Sequence, residues 1–362
     1  MHFQVKAPGK LMIAGEYAVI EPGCPAIVSA VDRYITIDVK ESTENLFSLP
    51  QLGITHAAWR WEGGAVRFDC EDPKLRFIQN ALAVFHRLLE EKSIALRSLH
   101  LTVTSELDDA ATGQKYGLGS SAAVLAAVFS ALLHIYERLP ETKETIFKLA
   151  SIAHLKTQGN GSGADIAASV YGGWIKYTAF RPDWIFSELE KGRISRLLDE
   201  PWPYLSIERL DLPQGLQFCA GWTGKSAATG LMVERIGRLK KTSLEKYKAF
   251  LEESTTVVEK LAESFARQDP AGALASIARN RRALQKLGAY ADTDIETEKL
   301  KQLADIADRF GAGKSSGAGG GDCGIAFVDG EEKTAALHAA WEKAGIVPLP
   351  LQVSTQGVSV IE

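Results

Sequence analysis

The organisation of the chain turns on KYGLGSSAAV, residues 115–124. A β-branched run, LHLTVTSEL (99–107), precedes it and an apolar run to Tyr136 follows. That order predicts a strand, a tight loop and a helix. Gly117 and Gly119 let the backbone turn sharply and come close to a ligand. Ser120 and Ser121 fall at the predicted helix start, where hydroxyls cap free N–H groups. Ala122 and Ala123 leave the first turn unobstructed. A helix start aimed at an open loop presents N–H donors and the positive end of the helix dipole, which suits phosphate. A capped buried helix behind a glycine turn accounts for the same residues. Lys115, a cation directly before the loop, favours phosphate.

A second glycine-rich stretch competes for that role. GAGKSSGAGGGDCG (311–324) contains the GKS end of a Walker loop and a GxGxxG match. A Walker loop is GxxxxGK[ST] between a strand and a helix. In DRFGAGKS (308–315) Asp308 stands where the first glycine belongs, placing a carboxylate where a phosphate would approach. In CAGWTGKS (219–226) Cys219 takes that place. GGGDCG precedes the apolar strand GIAFV rather than a helix, and no first βαβ unit surrounds it. The late glycines are therefore not expected to cradle the nucleotide phosphates.

The remaining sequence bounds the problem. The chain has 362 residues, 46% hydrophobic and 24% charged, with a formal net charge of −4. The length predicts about two domains, and the charge removes any global basic field for nucleic acid. The four cysteines, Cys24, Cys70, Cys219 and Cys323, form no CxxC metal knuckle and are expected as free thiols in a reducing cytoplasm. The most apolar stretch, 122–136, is too short for a comfortable membrane span, and no signal-peptide pattern is legible. Strands are predicted at 26–39, 99–107, 172–180, 204–210, 216–222, 324–328 and 346–354. Helices are predicted at 74–92, 120–136, 142–156, 226–239, 243–267, 271–287, 295–310 and 332–344. Strands and helices mix without strict βαβ alternation, so the expected class is α+β. DEPWP (199–203) breaks the pattern and places a boundary between domains 1–200 and 201–362.

Two further motifs carry candidate chemistry. In APGKLMIAGEYAV (7–19) Pro8-Gly9 reads as a turn, and Lys10 follows it on a rigid edge. In GNGSGAD (159–165) three glycines make a tight loop before Asp165, which opens the next apolar segment. Taken singly, an exposed lysine and an N-cap aspartate describe them equally well.

Together, PGKLMIAGEYAV, GLGSSAA and KSSGAGGGDCGIA resemble, in order and spacing, the three motifs of the GHMP kinases. GNGSGADIAASVYGGWIKY and GWTGKSAAT resemble most the bacterial phosphomevalonate kinases within that family. The resemblance runs from residue 5 to residue 355. It implies a ribosomal-protein-S5-like N-terminal α/β domain, a ferredoxin-like C-terminal domain, and ATP and acceptor in the cleft between them. It assigns the ATP phosphates to Gly117, Leu118, Gly119, Ser120, Ser121 and Ala122, and Mg²⁺ to Ser121. Lys10 and Asp165 match the lysine and aspartate of the mevalonate kinase site. Mevalonate kinases carry a glutamate metal ligand on the helix before GNxSGxD; here His154 stands at that spacing, leaving Mg²⁺ held largely by phosphate oxygens and water.

The implied reaction is phosphoryl transfer from ATP to phosphomevalonate, in a cytoplasmic monomer or weak homodimer with no nucleic-acid or membrane partner. A phosphate acceptor, with a second pKa of about 6, is already an anion at neutral pH and needs no base. Lys10 and Lys115 are then expected to flank the transferring group, with Asp165 orienting Lys10. Lys225, Asn160, Ser162, Ser226, Thr229 and Tyr17 are candidate acceptor contacts. Gly317, Ala318 and Gly319 are expected on the acceptor side of the cleft. The alternatives are a mevalonate kinase with Asp165 as general base, and a non-catalytic sensor of ATP and ligand.

Overall fold

The computed structural model describes residues 1–109, 112–225 and 229–361, without the side chains of Thr229 and Leu231. The first half runs β1 (His2–Ala14), β2 (Pro25–Glu41), β3 (Leu46–Leu49), β4 (Ile54–Glu62), β5 (Ala65–Phe68), α1 (Arg76–Glu91), β6 (Leu99–Ser105), α2 (Ser120–Ile135), α3 (Lys143–Gln158), α4 (Ala164–Tyr171), β7 (Trp174–Thr178), α5 (Pro182–Glu190) and α6 (Ile194–Asp199). The second runs β8 (Ser206–Leu210), β9 (Leu216–Trp222), α7 (Thr229–Thr242), α8 (Leu244–Ala266), α9 (Pro270–Ala291), α10 (Glu298–Ala307), β10 (Gly311–Ser315), β11 (Cys323–Asp329), α11 (Glu331–Lys343), β12 (Val347–Leu349) and β13 (Ser359–Ile361).

Two sheets organise these elements. The larger has the order β13-β1-β2-β6-β3-β4-β5, with β7 also pairing β2 and β8 pairing β7. The long β2 serves both neighbours: residues 25–29 pair with β7 and residues 35–41 with β6. Helix α2 is apolar nearly all round and therefore central; it packs on β1, β2, α1, α3 and α4. The Thr142 hydroxyl caps α3 by accepting from the Thr145 N–H at 3.1 Å, and Gly159 ends that helix in the left-handed conformation. The second sheet, β10-β11-β9-β12, is antiparallel. One face of it, through Cys219, Ala326 and Val328, packs against Leu303 of α10, Leu337 and Trp341 of α11, and Ile346. The architecture is α+β, as the element pattern predicts.

The break expected at 200/201 falls between α6 and β8. Beyond it, β8 still pairs with β7, and the final β13 returns to pair with β1. Three local expectations are corrected. Pro8-Gly9 is not a turn; both lie within β1, at a register shift against β2. The segment predicted as one strand at 346–354 is the short β12 followed by extended chain. The glycine stretch, for which the pattern predicts no strand, opens with β10 at 311–315. No helix among the described residues is long and apolar enough to cross a membrane.

The glycines of β10 are there for packing. A Cβ on Gly313 would lie 2.5 Å from the Ala307 Cβ and 3.2 Å from the Ala304 Cα, so α10 seats directly on the strand. Gly313→Val is expected to destabilise the protein by about 1–3 kcal/mol through overpacking. Denaturant melts check this: an unchanged midpoint would mean that α10 does not need the bare strand.

Candidate active site

Strand β1 and the glycine loop build the first wall. The Lys10 N–H donates to the Leu118 carbonyl at 2.8 Å. This approach needs a bare backbone, since a Cβ on Gly9 would lie 2.9 Å from the Leu118 oxygen. Gly117 and Gly119 adopt φ of 82° and 78°, in the left-handed region. Gly119 itself is the N-cap of α2, and no side chain caps the helix. The hydroxyls of Ser120 and Ser121 therefore do not act as caps, and both residues line the cleft. The first-turn bonds run from the Ala122 and Ala123 N–H groups to the Gly119 carbonyl, 3.1 Å each. The N–H groups of Ser120 and Ser121 precede them and point out of the helix end.

The second wall is the start of α4. Asp165 lies in its first turn, after Gly163 in the left-handed conformation. The Lys10 ammonium sits 3.5 Å from the Asp165 carboxylate. Lys10 is buried, at 8% exposure, with its stem across Gly119, where an added Cβ would lie 3.0 Å away. The loop ahead of α4 is pinned from behind: the Tyr177 hydroxyl donates to the Ser162 carbonyl, and Ser162 Oγ accepts the Ala164 N–H at 3.3 Å. His154 packs under that loop, where a Cβ on Gly161 would come 3.2 Å from its Nδ1. Burial pulls the His154 pKa down, against the opposing effect of Asp165. His154 thus packs beneath the loop and is not among the residues lining the cleft.

The third wall comes from 316–322 and from the turn after β1. Ser316, Gly317, Ala318 and Asp322 line the cleft beside Glu16 and Tyr17. The Tyr17 hydroxyl donates to the Ala318 carbonyl, and burial pushes its pKa up. Asp322 presses on the glycine loop: a Cβ on Gly117 would lie 2.7 Å from its carboxylate. Behind this wall Lys314 is fully buried and paired with Glu16. Burial lowers the Lys314 pKa and the Glu16 carboxylate opposes that shift. Cys323 donates its thiol to the Tyr116 carbonyl at 3.1 Å, and burial pushes its pKa up, so it tethers the glycine loop.

The structure thus brings Lys10, Tyr17, Lys115, Gly117, Leu118, Gly119, Ser120, Ser121, Asp165, Gly317 and Ala318 to one cleft of about 330 Å³. Ala122 is buried behind its rim. Asn160, Ser162 and Lys225 do not line it, although the Lys225 carbonyl accepts the Asp322 N–H at 2.7 Å. Gly319 also lies off the cleft, against the Ile295 carbonyl. Ser226 falls outside the described residues, as does the side chain of Thr229. Sequence reasoning missed Glu16, Lys314, Ser316 and Asp322. The available signal was a single charge inside an apolar run in AGEYAV and again in GAGKSS.

The donor set fits a nucleoside triphosphate with a hard cation. A cradle of glycines, a helix start without a side-chain cap and two lysines suit the phosphates. Serine hydroxyls and single carboxylates are oxygen ligands of the kind Mg²⁺ takes alongside phosphate and water. Among the described residues no group of three or more His, Cys, Asp or Glu side chains could hold a metal by itself.

Comparison with known proteins agrees with this geometry. A model described as the GHMP kinases N terminal domain matches residues 76–173, and one described as GHMP kinases C terminal matches residues 257–347. The chain is 37% identical over 368 residues to the phosphomevalonate kinase of Streptomyces sp. (strain CL190), covering 97% of each protein. It superimposes on the crystal structure of a Lin0012 protein from Listeria innocua with a TM-score of 0.93, at 40% identity and full coverage of both chains. It also superimposes on Streptococcus pneumoniae phosphomevalonate kinase in complex with phosphomevalonate and AMPPNP, with a TM-score of 0.84 at 28% identity, covering 97% of this chain and 99% of that one. With three motif walls on one cleft and these matches along its length, the chain belongs to the GHMP kinase family, whose members use ATP.

Proposed function

We propose that this kinase transfers the γ-phosphoryl group of ATP to 5-phosphomevalonate, giving 5-diphosphomevalonate and ADP. In this account residues 1–200 supply the ATP side of the cleft and residues 201–362 the acceptor wall. The Lys10–Asp165 pair at 3.5 Å gives the aspartate a cation to orient, which suits a transfer that needs no base, and what carries the acceptor is the match to a phosphomevalonate kinase over 97% of both chains. The likeness to phosphomevalonate kinases along the whole chain supports the same acceptor.

An acceptor phosphate oxygen forms the new bond to the γ-phosphorus as the bridging bond to ADP breaks. The acceptor monoester is already ionised at neutral pH, so no proton must be removed. The obstacle is charge: two unit charges 4 Å apart repel by about 4 kcal/mol at an effective dielectric of 20. Lys10 and Lys115, which both line the cleft, offset it, and the N–H groups of Ser120 and Ser121 hold the nucleotide phosphates. Mg²⁺, when bound with ATP, supplies further neutralisation, with the Ser121 hydroxyl as its protein ligand. Asp165 keeps the Lys10 ammonium aimed at the transferring group.

Three measurements test this. ADP release should follow addition of phosphomevalonate and not of mevalonate; turnover of mevalonate alone would sink the proposed acceptor. Asp165→Asn should lower kcat by less than the roughly 10²-fold that a general base contributes, whereas Lys115→Met should cost about 10²–10³-fold. The reverse ranking would make Asp165 the base. Gly317 has φ of 70° and open space around it, so Gly317→Val should raise the acceptor KM while ATP affinity holds. Gly319→Val meets the Ile295 carbonyl 2.0 Å from the added Cβ and should lower the melting temperature instead. Equal loss of ATP and acceptor affinity in Gly317→Val would return this segment to the nucleotide.

A further inference from the structure

Three alternate residues of the third motif reach back to the first. Lys314 donates to the Glu16 carboxylate and to the Ser315 carbonyl at 2.7 Å. Ser316 Oγ donates to the Met12 carbonyl at 2.8 Å and accepts the Met12 N–H at 3.0 Å. The Ala318 carbonyl accepts the Tyr17 hydroxyl. The first of these contacts joins residues 298 positions apart in sequence.

The first motif is under constraint where they meet. Beside Met12, β1 has a register shift against β2, leaving Ile13 unpaired there. Tyr17 has φ of 62°, a conformation that a bulky residue keeps only where its surroundings over-determine it. The ion pair itself is enclosed, with side-chain exposures of 0% for Lys314 and 2% for Glu16. The second Glu16 oxygen has no hydrogen-bond partner among the described residues. Burying two charges costs desolvation, so such a pair is poor evidence of added stability; setting register is the better-attested use.

We propose that Lys314 and Glu16 are positioning residues for the transfer: their pair fixes the segment bearing Gly317 and Ala318 at a set height over Lys10. Lys314 has no exposed surface and acts through Glu16 and the Ser315 carbonyl. With the pair in place, the segment that meets the acceptor is registered on the strand that carries Lys10. This rests on the acceptor-side role proposed above for Gly317 and Ala318.

The test removes both charges at once. Lys314→Met alone leaves Glu16 buried and unpaired, whereas neutral replacement of both members of a buried pair is commonly tolerated. The double variant Glu16→Gln/Lys314→Met should melt near the wild type and bind ATP within about twofold, while kcat/KM for the acceptor falls about tenfold or more, because small misplacements of reacting groups are costly. Amide exchange at 316–321 should quicken in the same variant. Wild-type kcat/KM in the folded double variant overturns the proposal, as does an equal loss of ATP affinity. Should the double variant not fold, Ser316→Ala removes only the bonds to Met12 and should show the same split between acceptor and ATP; absence of the split there overturns the proposal too. Wild-type turnover is measured first with phosphomevalonate and with mevalonate. Failure of the proposed acceptor is thereby seen separately, and the variants are read with whichever acceptor is used.

Discussion

The bond from the Lys10 N–H to the Leu118 carbonyl joins strand β1 to the glycine loop, and the cleft is arranged about it. It exists because Gly9 has no side chain; a Cβ there would also lie 2.8 Å from the Leu107 side chain. Once strand and loop touch, the Lys10 stem must cross Gly119, and its ammonium emerges between the start of α2 and Asp165. The same strand two residues later holds Ser316, and the turn after it holds Lys314 and Ala318. Three segments far apart in sequence thereby share one support. A single shift of β1 would displace Lys10, the glycine loop and the 316–318 wall together.

The cleft's charges follow a different logic from its backbone. Glu16, Asp108, Asp165 and Asp322 line it along with Lys10 and Lys115, an unusual surface to receive two polyanions. Glu16 is answered from behind by Lys314, and Asp165 by Lys10. The Lys10–Asp165 pair has a half-exposed carboxylate, 43% by side chain, so the attraction is screened and modest. That weakness suits the role proposed for Lys10, in which part of its charge turns toward the transferring phosphoryl group. A tightly buried partner would hold the ammonium for itself. The enclosed Glu16–Lys314 pair shows the opposite arrangement, in which neither charge is open to solvent.

The long helices and the strands β2, β6, β9 and β11 were legible because periodicity and turn residues carry them, whereas the same patterns do not predict β1, β3, β4, β5, β10, β13, α5 and α6. The apolar face of α1, the all-round apolar α2 and the β-branched β2 each appear where their patterns place them. The site was legible where residue type and local position coincide, as at Gly117, Gly119, Lys10 and Asp165. Legibility stopped where an answer depends on a neighbour distant in sequence. Pro8-Gly9 has the composition of a turn, yet pairing with β2 keeps it extended. Ser120 and Ser121 have the composition of caps, yet Gly119 takes the N-cap place and frees their hydroxyls. Lys314 has the position of a Walker lysine, yet β10 turns it inward to Glu16. No local pattern marks Gly319 apart from Gly317, since only the Ile295 carbonyl distinguishes them.

The late glycine stretch shows how one residue type answers several physical demands. Gly313 admits α10, and Gly324 admits Leu303, whose side chain would lie 2.5 Å from an added Cβ. Gly317 opens the cleft, and Gly319 clears a carbonyl. Asp308 excluded the stretch as a Walker loop on grounds of charge, and the structure gives that residue a constructive role. Its carboxylate accepts the Gly313 N–H at 3.0 Å and an Arg281 N–H at 2.7 Å. Arg281 also grips Glu296, beside Ile295, whose carbonyl accepts the Gly320 N–H at 2.9 Å. The acidic residue that makes the segment unfit to cradle a nucleotide is therefore part of the network that holds its far end in place. Bonded to the Gly313 N–H and to Arg281, the Asp308 carboxylate anchors the base of β10 below the bare backbone at the cleft edge, a tie that glycine alone could not supply.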